Sequence, residues 1–298
     1  MAFGTTTVTE VQHQIQKFWS PIVTKQLKEG SVLASLVDRT YEGEIVRGGD
    51  TVRVSQLARP DGLIKTIGVD ADYNQFSPEK ASLTYVDIKA EKIISASFEF
   101  DSLVDLQSIV HSDNPTVRDA LVEALQIKLN TYLYSKVSPS AANPDHKLEG
   151  VTDFNASAFL NVRKLASQAH WSADAGRWLL VDPSYMNDIL NATTLTSADY
   201  VPDAPVVAGK VAMKRFGFNV LEDDSAGMKQ ISPTSATEDL ALAFTPDFLH
   251  LVTQKQVSFE VAPLTANHKF GVVLVAYIVV GAALGNQGSI KHITVYNT

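Results

Sequence analysis

"GEIVRGGDTVRV", residues 43–54, reads as two short β-arms about a Gly-Gly turn. Gly48 and Gly49 fall where a tight hairpin needs positive φ, with Ile45 and Val46 before them and Thr51 to Val54 alternating after. Beyond it, "SQLARPDGLIKTIGVDADYNQFSPEK" (55–80) carries Pro60-Asp61-Gly62, Gly68 and Ser77-Pro78 with no apolar period, so it predicts a loop or a loosely twisted ribbon. Alternation returns in "SLTYVDIKAEKIISASFEF" (82–100), where Ile94, Ala96, Phe98 and Phe100 share one face and Ser95, Ser97 and Glu99 the other. The result is a long β-excursion whose first arm has no evident core of its own, and a two-stranded ribbon alone is marginal in water.

Working outward, "HSDNPTVRDALVEALQIKLNTYLYSKV" (111–137) predicts a helix with Asn114 as N-cap and Pro115 at the first helical position. Val117, Ala120, Leu121, Ala124, Leu125, Leu129, Tyr132 and Leu133 form its apolar stripe, and Arg118, Glu123 and Lys128 face away. At 1.5 Å per residue this spine is about 35 Å long. After the linker "SPSAANPDHKLEG" comes an α/β alternation: helices at "ASAFLNVRKLASQAH" and "PSYMNDIL", strands at "RWLLVD", "KRFGFNVLEDD" and "LALAF", and a short helix at "TPDFLHLVT". Long strands close the chain at 258–261, 270–283 and 289–296, which implies that the first and last thirds form one domain with the middle inserted. Upstream, "TEVQHQIQKFWSPIVTKQLKEG" spaces Val11, Ile15, Phe18 and Trp19 as a weak amphipathic helix, a segment that needs a partner surface or its own domain to be stable.

The chain has 298 residues, 45% of them hydrophobic, which is enough for one large domain or two moderate ones. A net charge of −8, spread along the sequence, argues against a surface that grips a phosphate backbone. With no cysteine there is no disulfide, thiolate metal site or cysteine nucleophile. "MAFGTTTVTEVQHQIQKFW" lacks the features of a secretory signal. The most apolar run, "GVVLVAYIVVGAALG" (271–285), is shorter than a membrane-crossing helix needs and its β-branched content predicts a buried strand.

Signals for chemistry are weak. The seven histidines (13, 111, 146, 170, 250, 268 and 292) never fall at metal-binding spacings. Gly281, Gly285 and Gly288 trail a strand and open no helix, so they read as close strand packing and not as a phosphate cradle. The pair Asp101 and Asp105, and the run Glu222, Asp223 and Asp224, could hold a cation or act as an acid/base pair, but read first as solvated loop charges. Asp70 and Asp72 lack the other ligands of a calcium loop, and "NAS" at 155 and "NAT" at 191 match the glycosylation pattern without an export signal. No catalytic, cofactor or metal site is assigned.

In order, "RGGDTVRV" leading into the excursion, "FEFDSLVDLQS" before "RDALVEALQIKLNTYLY", "RWLLVDPSYMNDILN", "GKVAMKRFGFNVLEDD" and "LALAFTPDFLHLVTQKQVSFEV" resemble the major capsid proteins of tailed bacteriophages, which have the Hong Kong 97-type shell fold. The likeness spans nearly the whole chain. It implies an α+β fold with an N-terminal arm (1–30), an extended loop and its flanking strands (31–100), a peripheral domain (101–144 and 246–298) built on the spine helix, and an axial domain (145–245) around five-fold and six-fold axes. It also implies a homo-oligomeric virion shell made in the host cytoplasm and enclosing double-stranded DNA without sequence-specific binding. A separate scaffolding protein and a portal would be partners, with no membrane and no cofactor.

Intersubunit contacts are then expected at Phe18, Trp19, Arg53, Arg59, Lys65, Asp70 and Tyr73. Some relatives carry a cleaved scaffolding segment, and none is expected here. Others join a loop lysine to a neighbour's asparagine; Lys65, Lys80, Asn267 and Asn286 are available, without a matching local motif. Three alternatives stay open: an encapsulin-like nanocompartment shell, a viral tail or connector component, and a soluble α+β enzyme using a carboxylate cluster.

Overall fold

The computed structural model describes residues 32–42, 44, 51–57, 83–101, 115–137, 146–172, 176–192, 195, 213–232, 239–264, 270–285 and 291–297. These form two sheets, a ribbon and three longer helices. Strands β1 (Thr51–Leu57) and β2 (Leu83–Lys89) pair antiparallel, Thr51 opposite Lys89 and Leu57 opposite Leu83, so they are the two legs of the excursion. The Gly48-Gly49 turn lies outside the described residues. A three-stranded antiparallel sheet follows, with β3 (Lys92–Asp101) and β9 (Leu249–Pro263) flanking β10 (Gly271–Leu284). The second sheet has six strands, in the order β4 (His146–Leu148), β11 (His292–Tyr296), β8 (Leu240–Phe244), β5 (Arg177–Val181), β7 (Phe218–Glu222) and β6 (Met213–Arg215).

A one-turn helix α1 (Leu33–Leu36) precedes the ribbon, and the spine helix α2 runs Pro115–Val137, starting at the predicted proline. Helices α3 (Ala156–Gln168) and α4 (Pro183–Asn191) lie in the insert. Each has its orphan N–H groups satisfied locally: Asn155 accepts from the backbone of Ser157 and Ala158, and Asp182 from Ser184 and Tyr185. Asn155, first residue of one glycosylation pattern, is thus occupied as a helix cap. Between β6 and β7 the chain turns on Phe216 (φ 48°) and Gly217 (φ 87°), the two positive φ angles that a two-residue hairpin of matching twist requires.

The six-stranded sheet is buried on both faces. Leu179, Val181, Phe218, Val220, Ala241 and Val295 pack with α3 and α4, while Leu180, Leu242, Phe244 and Tyr296 join the core beneath α2. Burial on both sides explains why "LALAF" and "RWLLV" are nearly continuous apolar runs. The core beneath α2 also takes Ile94 and Phe100 of β3 and Leu274, Ala276, Ile278 and Val280 of β10.

Four expectations need correction. The last strand, β11, does not join the other terminal strands: it pairs antiparallel with β8 and parallel with β4, inside the insert's sheet. Helix in "TPDFLHLVT" is confined to Pro246–Phe248; Leu249 to Val252 are all buried and extend β9, because an apolar run covered on both faces carries no helical period. On α2, Ala120 and Ala124 are not in the core, while Asn130, Tyr134 and Val137 are buried. The ribbon also has a core at its root: Val52, Val54, Val86, Ile88 and Ala90 bury themselves with Val252, against Tyr41 and Ala283 of the same chain. The alternation that left one face of the ribbon apolar thus finds part of its cover at home.

Candidate assembly surface

Root and outer face of the ribbon are built differently. At the root, the ribbon crosses β10 at Gly281, where a β-carbon would fall 2.9 Å from the Cα of Ala90 and even nearer the Lys89 carbonyl. Only glycine lets the two backbones approach so closely. Asp38 ties the chain before the ribbon to β9: its N–H donates to the Leu249 carbonyl, its carbonyl accepts from Leu251 N–H, and its carboxylate lies 2.8 Å from Nδ1 of the buried His250. Burial pushes the Asp38 carboxyl up, but hydrogen bonds from Thr40 and His250 together outweigh it and hold the group below the ordinary range. Tyr41 packs edge-on to the His250 ring, 5.3 Å between centroids. A β-carbon on Gly285 would fall 2.8 Å from His250 Nε2, so two of the three glycines read as close packing serve that purpose; Gly288 lies outside the described residues.

The ribbon's outer face is polar and aromatic. Arg53 is directly opposite Asp87 and donates to it from Nε at 2.7 Å and Nη2 at 2.8 Å, with its guanidinium 5.6 Å from the Tyr85 ring centroid. Leu83 and Tyr85 are both more than half exposed. Of the residues expected to touch other subunits, Arg53 is thus placed on an open surface but already engaged within its own ribbon. Phe18, Trp19, Arg59, Lys65, Asp70 and Tyr73 lie outside the described residues, as do Lys80, Asn267 and Asn286.

A second exposed surface, missed from the sequence, lies on the three-stranded sheet. Phe98 and Val261 flank Leu274, and Phe259 is opposite Ala276, so all point to the face that α2 covers. The helix shields Leu274 and Ala276 completely but leaves Phe98, Phe259 (40% exposed) and Val261 (55% exposed) in the open. Val257 continues this row into a groove of about 560 Å³ between α1, α2 and the sheet, lined also by Arg39, Val122, Leu129 and Ile278. The opposite face of β9 is polar, where Tyr277 donates to Glu260 at 2.6 Å and Lys255 donates to Tyr277. Alternation in "QKQVSFEV" was the signal available for this surface; what it could not tell is that, among the described residues, no helix reaches over it.

Among the described residues, the run Glu222, Asp223 and Asp224 is divided between surface and interior. Asp223 is 1% exposed, accepting from Tyr134 Oη at 2.5 Å and from the Ser225 N–H at 2.9 Å, which corrects its reading as a solvated loop charge. Burial, followed by the Asp223 charge and hydrogen bond, raises the Tyr134 hydroxyl well above the ordinary tyrosine range. Asn130 Nδ2 donates to Ser225 Oγ at 2.8 Å, completing a polar joint between α2 and the 3-10 segment Ala226–Ile231. Gly227 makes the approach possible, since a β-carbon there would sit 3.1 Å from the Cα of Thr131. Asp101 ends β3, and Asp105 lies outside the described residues. Among the described residues no three histidine or carboxylate side chains gather as metal ligands, and no helix is long and apolar enough to cross a membrane.

No family model and no curated protein matches the sequence. The structure does match solved ones over nearly its full length. It is similar to a structure from Mycobacterium phage Che8 (TM-score 0.73, 20% identity, covering 94% of this chain and 96% of that one). It is also similar to the capsid of a native GTA particle (TM-score 0.67, 10% identity, 99% of each chain) and to the capsid of cyanophage P-SCSP1u (TM-score 0.65, 12% identity, 96% and 94%). The chain therefore has the α+β fold of phage capsid proteins. That fold is consistent with the one implied by the resemblance to the Hong Kong 97-type major capsid proteins of tailed phages.

Proposed function

We propose that this chain is a major capsid protein that assembles through pentamers and hexamers into an icosahedral shell enclosing viral double-stranded DNA. The observation that carries this is end-to-end agreement of the fold with capsid structures, with neither chain left substantially uncovered. A subunit in a closed shell must offer several self-complementary surfaces, since heterologous contacts close into rings and rings tile a container. Supporting that demand, the chain exposes Leu83 and Tyr85 on the ribbon and Phe98, Phe259 and Val261 on the sheet, where a monomer has no use for them.

In this role the ribbon and the excursion beyond it lie across a neighbouring subunit, with the N-terminal arm available for a second contact. The spine helix and three-stranded sheet form the peripheral domain. Residues 145–245, joined by β11, form the axial domain. DNA is contained without sequence-specific contact, in keeping with the net charge of −8. A separate scaffolding protein and a portal complete the particle, which is built in the host cytoplasm. The shell assigns no residue to catalysis.

Negative-stain electron microscopy of the chain, purified alone and after co-expression with the genes that flank its own, tests the assignment. Closed shells of uniform diameter are expected. Open rings or tubes in both preparations would instead place the chain in a tail or connector.

A further inference from the structure

The outer edge of β9 from Gln256 to Pro263 has no strand beside it among the described residues. Sheet order places β9 at the margin, and the cover supplied by Asp38 stops at Leu251. Folded proteins blunt such edges with charges, bulges or short strands, because a row of open N–H and C=O groups pairs with any strand that reaches it. On β9 the register shifts lie between Thr253 and Ser258, so the ladder from Ser258 to Pro263 is regular; its charge, Glu260, is turned to Tyr277 and Lys255 of its own sheet, and its proline stands at the far end. Val257, Phe259 and Val261 alternate along it on one face.

We infer that this edge pairs antiparallel with the same edge of a second copy across a two-fold axis centred on Phe259, joining two three-stranded sheets into one of six strands. The inference rests on the shell assignment. Register selects the axis. A two-fold perpendicular to the sheet keeps residues of one face opposite residues of the same face, so only every second register is allowed. Centred on Phe259, Val257 meets the partner's Val261, Phe259 meets its counterpart, and Ser258 meets the partner's Glu260. Centred on Glu260, two like charges stand opposed, which is destabilising. Centred on Ser258, Val261 falls opposite Lys255, which the register shift of β9 turns to the polar face, so the apolar row ends unmatched.

The length of the contact sets how strong it is. The paired stretch from Val257 to Val261 has five residues and spans about 17 Å at 3.4 Å each. One strand edge of that length buries much less than the roughly 1,600 Å² of a stand-alone complex. The pairing therefore belongs to the assembled particle, where other contacts hold the strands together, and dilute subunits stay apart.

The chain has no cysteine, so a single introduced thiol reports without background. Opposed residues hold their β-carbons about 4.5–5.5 Å apart, near disulfide reach, whereas Val261 and its counterpart would be about 14 Å apart. Phe259 is exposed, so Phe259→Cys leaves the fold intact. In particles treated with a mild oxidant, Phe259→Cys is expected to shift to twice the 32.4 kDa chain mass on a non-reducing gel, and Val261→Cys is expected not to. Phe259→Cys particles that form normally but yield no disulfide-linked dimer overturn the pairing and leave the shell assignment standing. A disulfide that forms only when Phe259→Cys is combined with Tyr85→Cys also overturns it, because the edge would then receive a ribbon. Failure of the unmodified chain to form any particle defeats the shell assignment itself, and with it this inference.

Discussion

Gly281 of β10 lies directly beneath the backbone of Lys89, where the ribbon leaves the body: a β-carbon there would be 2.5 Å from the Lys89 carbonyl carbon. Its φ is not in the left-handed region, so the requirement for glycine is one of space alone. This crossing fixes the root of the ribbon on the three-stranded sheet.

Gly281→Ala forces the ribbon off β10. Overpacking of this kind costs about 1–3 kcal/mol. The urea midpoint should fall accordingly with an unchanged slope. A midpoint equal to the parent's would show that the ribbon root is free to move against β10.

Tyr134→Phe removes the donor to Asp223 and leaves a buried carboxylate with its Ser225 N–H bond alone. A loss of about 1–3 kcal/mol is expected, the penalty for an under-satisfied buried polar group. Asp223→Asn combined with Tyr134→Phe should cost less than the two single changes added together, because the pair acts as a unit. Strict additivity in a double-mutant cycle would deny that the joint couples the spine helix to the insert.

His292 supplies a pH dependence. It is buried in β11, its ring is 6.0 Å from that of Phe248, and burial, helped by His146, lowers its pKa from 6.5 to about 4. The unfolded chain therefore takes up a proton that the folded one refuses. The stabilising contribution is full above pH 6.5 and is lost as pH falls toward 4. Between pH 7 and pH 5 the loss is roughly 2 kcal/mol. His292→Asn should flatten that part of the stability profile, as read by thermal unfolding across the range. An equally steep profile in the variant would assign the dependence to other groups.

Much of this fold could be read from the residues alone. Pro115 marks the start of the spine helix, "RWLLV" is a buried strand, and the glycines at 281 and 285 are sites of close backbone approach. What escaped has a common cause, since local pattern does not report which distant element provides cover. Phe98 alternates correctly yet is exposed because α2 stops short of it, and β11 resembles its neighbours in sequence but pairs with β8. Asn130 and Tyr134 look like surface positions on a helix, and only the approach of Gly227 and Asp223 makes them interior. For the assembly surface, Arg53 was legible as an exposed ribbon residue, while its bidentate bond to Asp87 depends on the β1–β2 register.

Removing residues 58–80 spares both strands of the ribbon and its root core. The variant should keep its helical circular-dichroism signal and its solubility but lose the ability to form particles. Unfolding would show that the excursion belongs to the subunit core, and normal particles that it makes no essential contact.

The central claim, that identical copies complete one another in a closed shell, is tested most directly by sedimentation velocity of the full chain co-expressed with its flanking genes. A discrete boundary of megadalton mass, cleared of faster aggregates, is the predicted result. A single boundary at the 32.4 kDa monomer across the accessible concentration range would contradict it.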